Sequence, residues 1–340
     1  MAPNPLKGWQ LDRRTIRTIG SDLQRPECIL AERDGTLWAA DARGGVMRIA
    51  ADGSQSLVIQ SADSHFDLGS DAKQSLLYGT LPNGLAFARN GDILISNFGT
   101  DRLEIMTRAG HTRTLCDTID GKPIGKVNFV LRDSKDRIWI TVSTCINPWN
   151  QAITPQVSDG YVALLDDRGL RVVADGFSFT NEIRMDAGEE WLYVAETTGK
   201  RVSRLRVLGD GSLTDREIYG PGDLGRGAID GITFDAYGNL WCTMVFADRL
   251  VAITPEGELL ELLDDGDPEA TDRFEMEFAT GRPVSFETLA ATGGTIAPWL
   301  ASVTFGGPDL RTAYLGCLKG TNIPYFQSPV AGLPMVHWWD

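Results

Sequence analysis

Five oxygen-bearing side chains, Glu27, Asn83, Asn128, Asn181 and Asp230, hold the same place in a pattern that recurs along the chain. Each stands about eleven residues before a large apolar residue: Trp38, Leu94, Trp139, Tyr193 and Trp241 in turn. Turn formers fall between: Asp34-Gly35, Asn90-Gly91, Asp133 with Asp136, Asp186 with Gly188, and Asp235 to Gly238. Two carboxylates and three carboxamides, with no His or Cys among them, make an oxygen-only donor set. Such a set suits a hard divalent cation, Ca²⁺ first, with Mg²⁺, Mn²⁺ or Zn²⁺ as alternatives. Asn, Asp and Glu at strand mouths also serve as turn and cap residues, and one copy alone would be read that way. Five equivalent copies argue for a shared site.

The elements that must bring them together are short strands. Around Asp230, Ile232 and Phe234 alternate with Gly231 and Thr233, the turn follows, and Leu240-Trp241-Cys242-Thr243-Met244 resumes as strand. A degenerate sixth copy runs from Ser302 or Val303 to Tyr314. Repeats spaced roughly 45–70 residues apart, each with several strands, predict an all-β, six-bladed β-propeller. First strands line the channel of such a wheel, so equivalent residues converge on its axis. The stretch from Arg13 to Ile19 is a candidate strand to complete the last blade and close the ring, and residues 1–12 read as a loose lead-in. Between blades five and six, residues 264–301 break the pattern. Asp267-Pro268 is a helix start, and Ser285 to Gly293 frames a second short helix. This helical insertion is read as a lid, a dimer contact or padding.

Composition narrows the class. The 340 residues carry a net charge of −14 with a pI near 4.7, and no basic stripe, which argues against a nucleic-acid partner. No run of 18 apolar residues is present, so no membrane span is expected, and the N-terminus lacks an apolar stretch of signal-peptide length. Five scattered cysteines without a Cys-x-x-Cys pair suggest reduced thiols and a cytoplasmic location. With three histidines and no Gly-x-Ser-x-Gly, a Ser-His-Asp hydrolase is disfavoured. The repeats predict one domain over 1–340. Two loops stand out. Residues 60–80 contain His65 and Phe66. Residues 145–159 contain Asn147, Trp149 and Asn150, read as too polar for core and as a candidate pocket rim. Glu196, beside an apolar run, is read as structural or exposed, and the closing aromatics Trp338 and Trp339 as exposed or docked.

Several segments together resemble the SMP-30/gluconolactonase/luciferin-regenerating-enzyme family. They are Val127-Asn128, Phe179-Thr180-Asn181-Glu182-Ile183-Arg184, Leu192 to Thr197, Ile229-Asp230-Gly231-Ile232 and Val303 to Asp309. The resemblance implies a six-bladed propeller with a divalent metal, usually Ca²⁺, in its channel, acting on sugar lactones or related esters. It matches Glu27, Asn181 and Asp230 to metal ligands and Asn128 to a ligand of metal or substrate. The chain departs from the family pattern at Arg25-Pro26-Glu27-Cys28, at Lys126 where an Arg is common, and at Phe129 where an Asp often follows. The implied chemistry is metal-assisted hydrolysis of a lactone, with Asp230 as general base on water or, second, as nucleophile. Lys126, Asn128, Asn83 and Trp149 are the candidate substrate contacts. A lyase or isomerase using the same metal, and a non-enzymatic propeller that binds a sugar or protein, are the alternatives. The expected partner is a small molecule, with the 264–301 insertion a candidate contact between copies of the chain.

Overall fold

Each copy of the repeat folds as a four-stranded antiparallel sheet, and six such sheets stand as blades around one axis in a computed structural model that describes residues 3–61 and 79–339. The innermost strands are Ile29–Ala31, Pro82–Phe87, Val127–Arg132, Thr180–Met185, Ala228–Phe234 and Leu300–Gly306. Every residue of these strands is buried, because one blade packs on each face. The first five blades then run outward in chain order, ending on strands such as Gln55–Ile59 and Leu213–Tyr219 that are largely open to solvent.

Second strands carry the aromatic of the repeat into the packing between blades. Trp38, Trp139 and Trp241 are each 0–1% exposed. A buried indole N–H requires an acceptor, and the acid of the preceding turn supplies it. Trp38 Nε1 donates to Glu32 Oε2 at 2.7 Å, and Trp139 and Trp241 donate to Asp133 and Asp235 Oδ2 at 2.9 Å. The repeat therefore encodes a lock between turn and strand as well as a site.

The ring closes as the sequence predicts, over a shorter strand. Arg17–Ile19 pairs antiparallel with Ile323–Gln327 and becomes the fourth strand of blade six, while Arg13–Thr15 is a 3₁₀ turn capped by Asp12. Residues 3–12 are not a loose lead-in. Leu6 and Leu11 are buried, Trp9 stacks on Phe326 and lies tilted against Trp241, both at 6.1 Å, and Asn4 Nδ2 donates to Asn239 Oδ1. Their apolar spacing covers the seam between blades five and six.

The insertion contains the two α-helices of the described residues, α1 (Pro268–Phe278) capped by Asp267 and α2 (Phe286–Ala291) capped by Ser285. It packs as wall: Phe274 lies 5.0 Å from Phe246, and Glu275 is joined to Lys200 and to the Gly227 N–H. The loop after Val142 is also more buried than its polarity suggests. Trp149–Ala152 forms a 3₁₀ turn whose Trp149, Asn150 and Ala152 are buried, following a cis Asn147-Pro148 bond. Glu196 is fully buried and structural, accepting from Arg201, Ser203, Arg216 and the Ser178 N–H. Trp338 docks, while Trp339 is exposed. His65 and Phe66 lie outside the described residues. No helix among the described residues is long and apolar enough to cross a membrane.

Candidate active site at the hub

A strand that simply alternated could not aim its polar residue at the axis while packing both faces against neighbouring blades. The inner strands solve this with a bulge. Their register shifts between Pro82 and Leu85, Val127 and Phe129, Thr180 and Ile183, and Ile229 and Ile232. The residues skipped include Asn83, Asn128, Asn181 and Asp230, each of which lines the hub cavity. Blade one has no room for a bulge, and Glu27 precedes its inner strand instead. In blade six the shift lies between Leu300 and Ser302, so Ala301 takes the equivalent place, not Ser302 or Val303, and that blade adds no ligand oxygen.

A bulge leaves backbone groups without ladder partners, and buried hydroxyls from the second strands take them. The Gly84 N–H donates to Ser96 Oγ, which donates to Asn128 O at 2.6 Å. The Gly231 N–H donates to Thr243 Oγ1, which donates to Ala301 O at 2.9 Å. The Phe129 N–H donates to Thr141 Oγ1. These hydroxyls stand at the same offset from Asn83, Asp230 and Asn128, a signal present in the sequence but passed over in reading it. At Gly231 any Cβ would lie 2.4 Å from Ala301 O, so the residue after Asp230 has to be glycine for the inner strands to meet.

Glu27, Asn83, Asn128, Asn181 and Asp230 all line one cavity of about 50 Å³. Trp149 lines it too. Lys126 does not: it is buried behind Phe98 with Nζ 2.9 Å from Asp101 Oδ1. Lys126, expected as a substrate contact, is thus placed outside the cavity lining with its ammonium paired to a carboxylate. Asn83 is also spent on structure. Its Nδ2 donates to Asn128 O at 3.0 Å and its Oδ1 accepts from Arg25 at 2.7 Å. Arg25, missed in the sequence, lines the cavity and sits 2.8 Å from Glu27 Oε2 without directed hydrogen-bond geometry.

Of the remaining four residues, Glu27, Asn128 and Asn181 each present a buried oxygen without a hydrogen-bond partner. Asn181 turns its Nδ2 to Thr197 Oγ1 at 3.0 Å, leaving Oδ1 buried without a partner, and Asn128 Oδ1 is likewise unsatisfied. Orphaned buried acceptors are costly. Burial raises the titration of Glu27, against the pull of Arg25, and raises Asp230 well above the usual carboxylate range, with the negative charges of Glu27 and Glu182 adding to it. Two crowded carboxylates and two orphan amide oxygens fit a hard divalent cation, which would satisfy all four at once. Among the described residues there is no cluster of three or more His, Cys, Asp or Glu able to hold a metal. A cation held there would have to draw part of its ligand set from the amide oxygens of Asn128 and Asn181.

Below this layer Glu182, another residue the sequence reading did not single out, accepts from the Ile232 N–H and pairs with Arg184 at 3.0 Å; burial pushes it up to about 7. Cys28 Sγ accepts from the Leu85 N–H, and burial raises its thiol far above the ordinary range. Above the hub the cavity is walled by Phe98, Trp149, Phe179, Phe246 and Trp299.

A luciferin-regenerating enzyme is similar in fold, with 16% identity, a TM-score of 0.68 and coverage of 94% of this chain and 98% of that one. A gluconolactonase from Xanthomonas campestris matches with 17% identity, a TM-score of 0.64 and coverage of 92% and 89%. Regucalcin from Agrobacterium tumefaciens, a calcium-binding protein, matches with 13% identity, a TM-score of 0.65 and coverage of 94% and 95%. At these identities the likeness is one of fold. A comparison with curated protein sequences gave no match. The family signature described as SMP-30/Gluconolactonase/LRE-like region matches residues 26–268, most of the chain and all five of the repeated hub residues, and the protein belongs to that family.

Proposed function

We propose that the protein hydrolyses a lactone or similar cyclic ester at the hub, with a divalent cation, Ca²⁺ first, held by Glu27, Asn128, Asn181 and Asp230. The observation that carries this reading is the set of buried oxygen acceptors without hydrogen-bond partners, Glu27 Oε2, Asn128 Oδ1 and Asn181 Oδ1, lining the hub cavity. A cation bound there supplies Lewis acidity to an ester carbonyl. Asp230, raised by burial and by Glu27, is poised to take a proton from water as the water oxygen bonds to the acyl carbon. The acyl C–O bond then breaks, and the proton passes from Asp230 to the departing ring oxygen, giving a hydroxy acid. Asn83 and Arg25 hold the Glu27 side of the hub in place. Asn181 is oriented by Thr197, so that its oxygen rather than its amide nitrogen faces the hub. The acidic surface and free cysteines agree with a cytoplasmic site of action.

The test is a pH-indicator screen of lactones on the full chain, with EDTA and then with added CaCl₂. Acid release that stops with EDTA and returns with calcium is expected. Hydrolysis unaffected by EDTA, or retained in Asp230→Ala, sinks the reading.

A further inference from the structure

The walls of the cavity differ from its base. Phe98, Trp149 and Phe179 come from blades two, three and four, and Phe246 and Trp299 from blades five and six, so aromatic surface faces the space from both halves of the ring. Phe98 and Trp149 meet edge to face at 5.9 Å, Trp149 and Phe179 at 6.4 Å, and Phe246 and Trp299 at 5.2 Å. Trp299 Nε1 donates away from the cavity, to Thr292 Oγ1 at 2.9 Å, leaving its ring as an apolar face. Polar lining is confined to the hub residues, their partner Arg25, and Thr197, whose hydroxyl already accepts from Asn181.

Three of these aromatics are held against a backbone preference. Phe179, Phe246 and Trp299 have φ of 57°, 70° and 59°, a region unfavourable for bulky side chains. Just before the hub residues of blades three and five, Gly125 and Gly227 adopt the same region without strain. Strain of this kind persists where surrounding structure enforces it, typically at ligand clamps. The enforcement is visible here. Helix α1 stacks Phe274 against Phe246 from behind, with Phe278 stacked on Phe274 at 5.7 Å, and Lys319 lies 4.6 Å over the Trp299 ring. The insertion thus packs against the collar at Phe246.

We infer that the collar selects a flat, apolar-bodied lactone, an aryl lactone being the simplest case, over a polyhydroxylated sugar lactone. An aromatic ring between these walls gains stacking and edge contacts and needs no hydrogen-bond partner. A sugar lactone carries hydroxyls around its ring, and the collar offers almost nothing to receive them once water is excluded. The inference rests on the lactone-hydrolase reading for the reaction, but its binding half stands apart. In an aryl lactone, water oxygen adds to the acyl carbon, the aryl C–O oxygen leaves as phenolate, and the proton taken from water neutralises it.

The experiment uses the full chain with saturating CaCl₂, and compares kcat/KM for dihydrocoumarin and glucono-1,5-lactone. Binding of the non-hydrolysable lactam of dihydrocoumarin is followed by tryptophan fluorescence. Dihydrocoumarin is expected to exceed glucono-1,5-lactone by about tenfold or more. Trp149→Leu is expected to raise KM for dihydrocoumarin and Kd for the lactam several-fold, by about the worth of one aromatic contact. Phe98→Leu is the second variant should Trp149→Leu fail to fold. Lactam binding that weakens in these variants, with neither lactone hydrolysed, supports the apolar ligand and overturns only the hydrolase reading. Preference for glucono-1,5-lactone, or no lactam binding, overturns the inference and leaves lactone hydrolysis standing in the first case.

Discussion

Replacing Asp230 by Asn should make the metal-free protein more stable while removing its activity. Asp230 and Glu27 are 5% and 6% exposed; Arg25 forms an ion pair with Glu27 and only partly offsets the burial of Asp230. An uncompensated buried carboxylate costs several kcal/mol, part of which the group sheds by taking up a proton. Asn keeps the shape, removes one charge and can donate to Glu27, so a gain of about 2 kcal/mol is expected at pH 8. Unfolding entropy near 2.1 cal/mol/K per residue converts this, for a chain this long, to roughly 3 °C in Tm. The pH dependence has a definite sign. A carboxyl raised in the folded state binds its proton more tightly there than when unfolded. Native stability without metal therefore falls as pH climbs from the ordinary carboxylate range through the raised titration of Asp230. The advantage of Asp230→Asn should be small at pH 5 and largest at pH 8. Calcium at a hundred times its Kd should add about 2.7 kcal/mol to the wild type, roughly 4 °C, and much less to the variant. Loss of the general base should lower kcat by about 10²–10⁴. Melting scans with EDTA or CaCl₂ at both pH values, together with lactone hydrolysis, measure each term. A destabilised metal-free variant, or a calcium shift equal to that of the wild type, would refute the reasoning.

Glu196→Gln removes a fully buried carboxylate that two arginines, Ser203 and the Ser178 N–H address. Burial disfavours its charge, but these donors outweigh burial and hold its titration below the usual value, so its stabilisation is present at neutral pH and is lost as pH falls through that depressed titration. The variant should lose about 2–3 kcal/mol at pH 7, discounted for the one-third exposure of the arginines, and the gap in denaturant midpoint should close in acid. Lys126→Met should cost about 1–2 kcal/mol by stranding Asp101, yet leave KM unchanged, because Nζ lies outside the cavity; a raised KM restores Lys126 as a substrate contact. A chain shortened to begin at Gly20 loses the closing strand and bares the edge of Ile323–Gln327, so size-exclusion chromatography should show association; a monodisperse protein melting as the wild type does would show that closure matters little.

The wheel was legible because its repeat has a strict geometric meaning. In each of the first five blades the hub residue stands three before the residue that pairs with the second-strand aromatic or leucine: Leu30 with Trp38, Ala86 with Leu94, Leu131 with Trp139, Arg184 with Tyr193, Thr233 with Trp241. A constant offset from a buried anchor survives the loss of other similarity. The collar escaped notice for the opposite reason. Phe98, Phe179, Phe246 and Trp299 sit in turns and bends at strand ends, outside the alternating runs of the strands themselves. No periodicity marks a residue whose direction comes from a left-handed backbone angle. Arg25 was hidden likewise: at φ 57° it folds back over Glu27, two residues on, which strand alternation does not foretell. The lead-in misled because its Leu6, Trp9 and Leu11 look unpartnered until the ring has closed and created the seam they cover.

Site and scaffold are joined more closely than separate lists of ligands and core residues suggest. The bulge that frees Asn128 toward the hub strands backbone groups that Ser96 and Thr141 take up, and Thr243 does the same beside Asp230. These hydroxyls are fully buried and touch no hub side chain oxygen in their hydrogen bonding, yet each fixes where an inner strand leaves its ladder. A hydroxyl lost there lets the strand relax toward regular pairing, which turns the ligand-bearing side chain away from the axis. Sensitivity of the hub to change should therefore extend one strand outward, along the ring of Ser and Thr, before it reaches the tryptophans that hold the blades together.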